Sequence, residues 1–308
     1  MVSGGSDTLS RVRLFPVAAI FALAGGFVAA CGSFRAAEEM PVGPADAASE
    51  AQTADAADAG TADADADAAS EVCPSGRGPK MVLVEGTAFR FCVDSTEVTQ
   101  GQYEKFVTGG GALVTAHPAC ATKAALGPKP SCLGNEVQYQ ARAGYPMVCV
   151  DFCDALAFCQ WAGKRLCGRT GDGGPLVGPD DLGTKPQNEW YLACSQGGTR
   201  NYPYGDILRS DVCTLSDPDA GEAGAPRATA PVASDPDCVG STVPLFDIIG
   251  NAREWVNACT PAAGQCGCLG GDGTTLPTGG AARCNDTSGA PPSDQGVRRG
   301  IRCCADAR

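Results

Sequence analysis

The chain has 308 residues, 18 cysteines, one histidine and a formal net charge of −12. The charge is uneven: residues 36–72 hold 15 alanines and 10 acidic residues with no Lys or Arg, while the 20 basic and 24 acidic residues from position 73 onward leave only −4. No basic stripe is present to neutralise phosphates, which argues against a nucleic-acid partner.

Residues 1–30 read as an export signal. Arg11 and Arg13 precede an apolar run from Leu14 to Ala30, which ends in the small residues Val28-Ala29-Ala30 before Cys31. This ending resembles a bacterial lipobox, in which Cys31 is lipidated and becomes the new N-terminus. Ordinary secretion and an uncleaved anchor are the competing readings. Residues 31–72 form an acidic, Ala-rich tether whose like charges keep it extended. Residues 73–308 are long enough for one domain with a sizeable core.

Within that domain, Met81–Gly86 and Phe89–Val93 predict two strands around a turn. Thr99 and Gln102 form a capping box for a helix with Tyr103, Phe106 and Val107 on one face and Gly109 at its end. Residues 109–145 are loop-rich, with a local Cys120–Cys132 clip expected. Tyr145–Val150 reads as a short strand. Asp151 caps a second helix in which Phe152, Leu156 and Cys159 share a face and Gly163 is the stop. A third helix is expected from about Thr184, with Pro186 in its first turn, to Ser195. Further strands are expected at Leu245–Ile249, near Leu269 and at Ile301–Cys304. Asp217–Asp237 reads as a solvated insert. Seventeen cysteines in an exported domain mean disulfides, and the odd number leaves at least one thiol unpaired within the chain.

Six phrases in order carry a family resemblance. They are Asp94-Ser95-Thr96-Glu97-Val98-Thr99, Trp161-Ala162-Gly163-Lys164-Arg165-Leu166, Glu189-Trp190, Tyr202-Pro203-Tyr204-Gly205, Gly250-Asn251 with Glu254-Trp255, and Gly300-Ile301-Arg302-Cys303. Together they resemble the formylglycine-generating enzyme (sulfatase-modifying factor) family over about residues 81–304. The resemblance implies an α+β, loop-rich, disulfide-stabilised domain of the C-type-lectin-like fold. It implies two disulfides, Cys159–Cys303 and Cys194–Cys284. Each closes a loop of roughly 90 to 145 residues and contributes about 4–5 kcal/mol in the chain-entropy model.

The resemblance also implies a calcium ion held by Asp247, the carbonyls of Gly250 and Ala252, and Glu254, an all-oxygen set suited to a hard cation. The competing reading pairs Glu254 with an arginine such as Arg253 or Arg302 and packs Trp255 in the core. The family's other calcium site uses an Asn that aligns near Cys213, so it is not carried over.

The family's oxidase chemistry needs two cysteine thiolates for copper(I). Here the two positions fall on Thr275 and on Gly279 or Gly280, after a segment in which Asp272 replaces the family's serine. Cys266 and Cys268 lie nearby as weak candidates for a soft metal, and their blander reading is a disulfide with Cys259 plus one further pairing. A histidine-held iron site is excluded, because His117 is the one histidine and reads as a surface residue.

The sequence thus predicts an exported lipoprotein facing the periplasm or cell surface, with a domain that has lost the copper pair and binds a peptide or protein ligand. The alternatives are a divergent copper-dependent oxidase converting a sulfatase cysteine to formylglycine, and a structural envelope component.

Overall fold

The structure is a computed structural model that describes residues 72–176, 182, 187–209, 211–213, 229–240, 244–260, 264–271 and 283–308. Cys31, nearly all of the tether, Thr184–Pro186, Asp272, Thr275, Gly279 and Gly280 lie outside the described residues.

Alternating apolar residues build the first hairpin. β1 (Met81–Gly86) pairs antiparallel with β2 (Phe89–Asp94), from Met81 opposite Asp94 to Gly86 opposite Phe89. Phe91 and Val93 point into one core cluster, and Cys92 points to the other face, where it is bonded to Cys73. β2 then pairs with β8 (Cys303–Asp306), and β8 with β3 (Arg165–Leu166), giving the antiparallel order β1-β2-β8-β3. A second sheet has the order β6-β5-β4-β7, from β6 (Thr287–Ala290), β5 (Gln265–Leu269), β4 (Arg253–Thr260) and β7 (Arg299–Gly300). Its β4–β7 pair is parallel. Only Ile301 and Arg302 separate β7 from β8, so the chain passes from one sheet to the other within two residues.

The helices follow their capping chemistry. α1 (Gln100–Thr108) has a capping box. The Thr99 hydroxyl accepts from the Gln102 N–H, and the Gln102 side chain accepts from the Thr99 N–H. Its buried stripe is Gln100, Tyr103 and Phe106, while Val107 is 45% exposed, contrary to the expected face. The i, i+3 row alone meets the core, and Val107 is turned off it. α2 (Phe152–Trp161) starts at a reciprocal cap between Asp151 and Asp154. It is apolar nearly all round, which fits its place in the core against Tyr103 and Phe106. α3 (Glu189–Ser195) is shorter than expected: Asn188, whose side chain accepts from the Tyr191 N–H, makes the N-cap.

Two expected strands are absent. Tyr145–Val150 makes one bridge, Pro146 with Thr99, flanked by the Gln100 N–H to the Tyr145 carbonyl and the Met147 N–H to the Val98 carbonyl, and it leaves extended backbone at Cys149, where φ is 62°. Leu245–Ile249 makes one bridge, Val239 with Phe246, and is bent at Asp247, where φ is 52°. β4 was not expected as a strand. The Gly250–Trp255 phrase reads as a turn in sequence, but the turn closes at Ala252 and the strand begins at Arg253.

Eight disulfides join sixteen cysteines among the described residues. Cys159 is bonded to Cys303 and Cys194 to Cys284. The remaining bonds are Cys73–Cys92, Cys120–Cys153, Cys132–Cys149, Cys167–Cys304, Cys213–Cys238 and Cys259–Cys266. The Cys120–Cys132 clip is therefore corrected. Each of these cysteines is tied instead to the segment flanking the start of α2, which anchors the 109–145 loop to the core rather than to itself. Such a disulfide set belongs to an oxidising, exported setting. No helix among the described residues is long and apolar enough to cross a membrane. His117 is half-buried, its ring 5.1 Å from that of Phe152 and its Nδ1 accepting from the Ala119 N–H, so it is not a free surface residue.

Non-reducing peptide mapping is expected to recover Cys120 with Cys153 and Cys132 with Cys149. In chemical denaturation, removing Cys159–Cys303 as a Ser/Ser pair should cost about 3 kcal/mol, close to the cost for Cys132–Cys149, because Cys167–Cys304 already closes nearly the same long loop and leaves only about ten residues for the second bond to close.

Candidate functional site

Three left-handed residues in five positions shape the centre of the site: Asp247 (φ 52°), Gly250 (φ 75°) and Asn251 (φ 47°). Asn251 holds the turn in place. Its Oδ1 accepts from the Ala230 N–H at 2.9 Å, and the Gly250 N–H donates to the Gly270 carbonyl at 2.8 Å. This double reversal brings the Asp247 and Glu254 carboxyl groups, seven positions apart, around one guanidinium, that of Arg302.

Arg302 and Glu254 are both fully buried. The Arg302 Nε donates to Glu254 Oε1 at 2.8 Å, and its other nitrogens donate to the Asp94 and Phe246 carbonyls at 2.7 and 2.8 Å. The Trp190 indole donates to Glu254 Oε2 at 2.5 Å. Asp247 Oδ2 accepts from the Ala233 N–H at 2.5 Å. Of the two readings of Glu254, the arginine partnership is therefore present, with Arg302 rather than Arg253, and Trp255 is buried as a core residue.

That partnership does not balance the charge. Glu97, from the Asp94–Thr99 phrase, is also fully buried, within electrostatic reach of Asp247, Arg302 and Glu254. Neither of its carboxyl oxygens has a hydrogen-bond partner among the described residues. Burial pushes the Glu254 carboxyl up to about 7, against the pull of Arg302 and Trp190. Burial pushes Asp247 up to about 6 and holds Glu97 well above the ordinary carboxylate range, with Asp247 adding to the shift. Sequence reasoning singled out Asp247, Gly250, Ala252 and Glu254 and missed Glu97. Its signal was an acidic residue between a strand and a capped helix, with only apolar and hydroxyl neighbours in sequence.

The donor set suits calcium in kind. It is all oxygen, and it contains an orphaned buried carboxyl group, which a hard cation would satisfy. No three acidic, histidine or cysteine side chains among the described residues converge closely enough to hold a metal by themselves, so a cation here would draw on main-chain carbonyls such as those of Gly250 and Ala252.

The sulfur candidates do not form a pair. Cys266 is bonded to Cys259, which removes it as a thiolate ligand. Cys268 is a free, buried thiol, and burial pushes it up to about 12. The Arg299 guanidinium donates to its Sγ at 3.4 Å while lying over the Trp255 ring. Thr275, Gly279, Gly280 and Asp272 lie outside the described residues.

A separate open cavity of about 450 Å³ lies between the 119–130 loop, the start of α2 and Pro292–Gln295. Leu126, Pro128 and Pro292 contribute apolar wall, and Lys123 and Asp151 a charged floor. The Lys123 ammonium lies 2.7 Å from Asp151 and 2.8 Å from Asp154, and Gln295 donates to the Gly127 carbonyl at 2.7 Å.

Comparison with known proteins gives three findings. Residues 58–307 match the family model described as "Sulfatase-modifying factor enzyme 1-like domain". The chain is 27% identical over 227 residues to the formylglycine-generating enzyme of Mus musculus, covering 61% of this chain and 53% of that protein. It is 28% identical over 129 residues to the Mycobacterium tuberculosis protein of the same name, covering 40% and 36%. The chain thus spans about half the length, or less, of the curated relatives it matches. Among solved structures, PvdO from Pseudomonas aeruginosa is 20% identical with a TM-score of 0.46, covering 70% of this chain and 80% of that one. CarF is 20% identical with a TM-score of 0.44, covering 76% and 96%.

The raised carboxyl groups set a pH dependence. A carboxyl group with a raised folded pKa binds its proton more tightly folded than unfolded. The stability it contributes is complete below the unfolded value near 4 and is lost as pH climbs through the folded value. With Asp247 at about 6 and Glu254 at about 7, the unfolding free energy measured in a chelator should fall between pH 4 and 7, each of the two groups contributing about 3 kcal/mol to the fall. A rise over that window in urea denaturation would contradict this assignment.

Proposed function

The chain belongs to the family of sulfatase-modifying factor enzyme 1-like domains, and on that premise we propose that it is an exported, lipid-anchored member that binds a peptide or protein ligand and does not oxidise one. The observation that carries this reading is the state of its sulfur. Copper(I) chemistry needs two thiolates held together. Thr275 and Gly279 or Gly280 stand at the matching positions, Cys266 is spent in a disulfide, and Cys268 is a protonated thiol under Arg299.

The cavity beside Lys123 supports a binding role. Its apolar wall and charged floor suit a short peptide segment, and Cys120–Cys153 and Cys132–Cys149 brace its loop so that little ordering is needed on binding. Calcium belongs to this proposal as a resident cation held by Asp247, Glu254 and the carbonyls of Gly250 and Ala252. When bound it would neutralise buried carboxylates and fix the Asp247–Asn251 turn.

Two measurements test the reading. A Cys-x-Pro-x-Arg peptide incubated with the purified domain, copper(I) and oxygen should keep its mass. Turnover that disappears in Cys268→Ser would replace this reading with a relocated copper site. Intact-mass analysis of the membrane fraction should find the mature chain beginning at Cys31 with more than one acyl chain, since a single chain holds only weakly. A non-lipidated N-terminus elsewhere would remove the anchor from the proposal.

A further inference from the structure

We infer that β1 is a pairing edge for a second copy of this chain, so that two domains anchored in one membrane share a continuous sheet. The strand pairing rests on the first hairpin alone, and the shared membrane rests on the lipid-anchor reading above. β1 is the outermost strand of the order β1-β2-β8-β3, so one side of its backbone meets no other strand of that sheet. The Ser95 N–H donates to the Lys80 carbonyl at 2.8 Å, which makes Lys80 and Ser95 a hydrogen-bonded pair. Bonded and non-bonded pairs alternate along an antiparallel ladder. Val82, Val84 and Gly86 therefore direct their backbone groups at Val93, Phe91 and Phe89, and Met81, Leu83 and Glu85 turn theirs outward. None of these outward N–H and C=O groups has a hydrogen-bond partner among the described residues.

Sheet edges are usually blunted by proline, an inward-pointing charge or a bulge, because an unpaired edge is a template for another strand. β1 carries none of these. Met81–Gly86 has no proline, and its register with β2 runs unbroken. Val82 and Val84 face the core, and the strand's one charge, Glu85, is exposed near its end. The edge is also self-complementary. An antiparallel partner must present its own outward-turned residues, and a second β1 does so about a two-fold axis at Leu83. Leu83 then lies opposite the partner's Leu83, and Met81 opposite the partner's Glu85. Every outward N–H meets an outward C=O, and one surface patch serves both copies. The two four-stranded sheets become one of eight strands.

The place where the chain leaves the domain selects a second copy over an unrelated peptide. The two-fold axis of such a pair is perpendicular to the sheet, so the outer faces of both copies point the same way. On that face Cys73 is bonded to Cys92, with Met81 and Leu83 packed beside them. Val72 is next to Cys73, and residues 31–72 lead back to the anchor at Cys31. Both tethers thus leave from one side of the joined sheet and can reach one membrane. A strand of six residues gives a small interface, weak between free molecules. Confinement to one membrane raises the effective concentration of the two edges, as a linker would.

The test uses the mature full-length protein, in density-matched detergent and in phosphatidylcholine vesicles. Mass is read by sedimentation equilibrium over rising concentration in detergent, and by amine cross-linking in vesicles. The wild type is expected to form dimers and nothing larger. The amides of Met81, Leu83 and Glu85 should gain hydrogen-exchange protection as dimer forms, while those of Val82 and Val84 are protected throughout. Leu83→Lys and Leu83→Glu each set like charges opposite one another at the axis and should weaken the dimer at least tenfold. An equimolar mixture of the two variants should recover it, because opposite charges then face each other, a recovery that mere loss of packing would not give. A single-copy mass in both settings, a dimer indifferent to both variants, or a mixture that stays monomeric would overturn the inference. A dimer in detergent from a chain that carries no lipid would remove the anchor and leave the strand pairing standing. If the Leu83 variants fail to fold by circular dichroism, Glu85→Pro takes their place. It removes an outward N–H and no hydrogen bond within the hairpin, and unchanged pairing in it would count against β1 as the edge.

Discussion

The rest of the structure depends on the burial of one guanidinium. Arg302 is fully buried, and its charge is tolerable there because each of its three nitrogens has an acceptor, one of them an ionisable carboxyl group. Those acceptors come from three separate stretches: the end of β2, the turn before β4, and β4 itself. Because Arg302 lies in the two-residue link between β7 and β8, satisfying it fixes how the two sheets meet. Trp190 extends the same constraint to α3 through Glu254. Removing Arg302 would leave Glu254 as an uncompensated buried acid, so the cost would exceed that of one lost ion pair.

The disulfides distribute this constraint. Cys303 and Cys304 are neighbours on β8 and so point to opposite faces. Cys303 reaches Cys159 on α2 and belongs to one core cluster, and Cys304 reaches Cys167 after β3 and belongs to the other. One short strand therefore cross-links both halves of the core. A second buried ion pair, Lys164 with Asp94 at 2.5 Å, sits between these bonds, and the other Asp94 oxygen accepts from the Cys303 N–H. A domain with few aromatic residues is held by sulfur and by paired buried charges as much as by its apolar core.

The same devices shape the two sulfur candidates of the second sheet. Cys266 closes the β4–β5 hairpin as a disulfide with Cys259, and burial pushes the Cys268 thiol up to about 12. The buried oxygen-rich turn has the opposite character. It gathers carboxyl groups around one arginine and leaves both Glu97 oxygens without a hydrogen-bond partner among the described residues.

The sequence by itself determined the elements whose signals are local. The β1–β2 hairpin follows from alternation, α1 and α2 from their capping residues, and the family from six ordered phrases, because each depends on neighbours within a few positions. The disulfide partners of Cys159 and Cys194 were legible only through the resemblance, since spacing alone does not choose among seventeen cysteines. Only the tertiary structure decided that Cys120 and Cys132 reach past each other to α2 and its leading segment, because a loop's closest partner in space is not its closest in sequence. It alone decided that Asp247 and Cys149 adopt left-handed backbone and so break two apolar runs that read as strands. Glu97 shows the limit most clearly. In sequence it is an acid in a polar phrase, and only the folded chain buries it fully, within electrostatic reach of Asp247, Glu254 and Arg302.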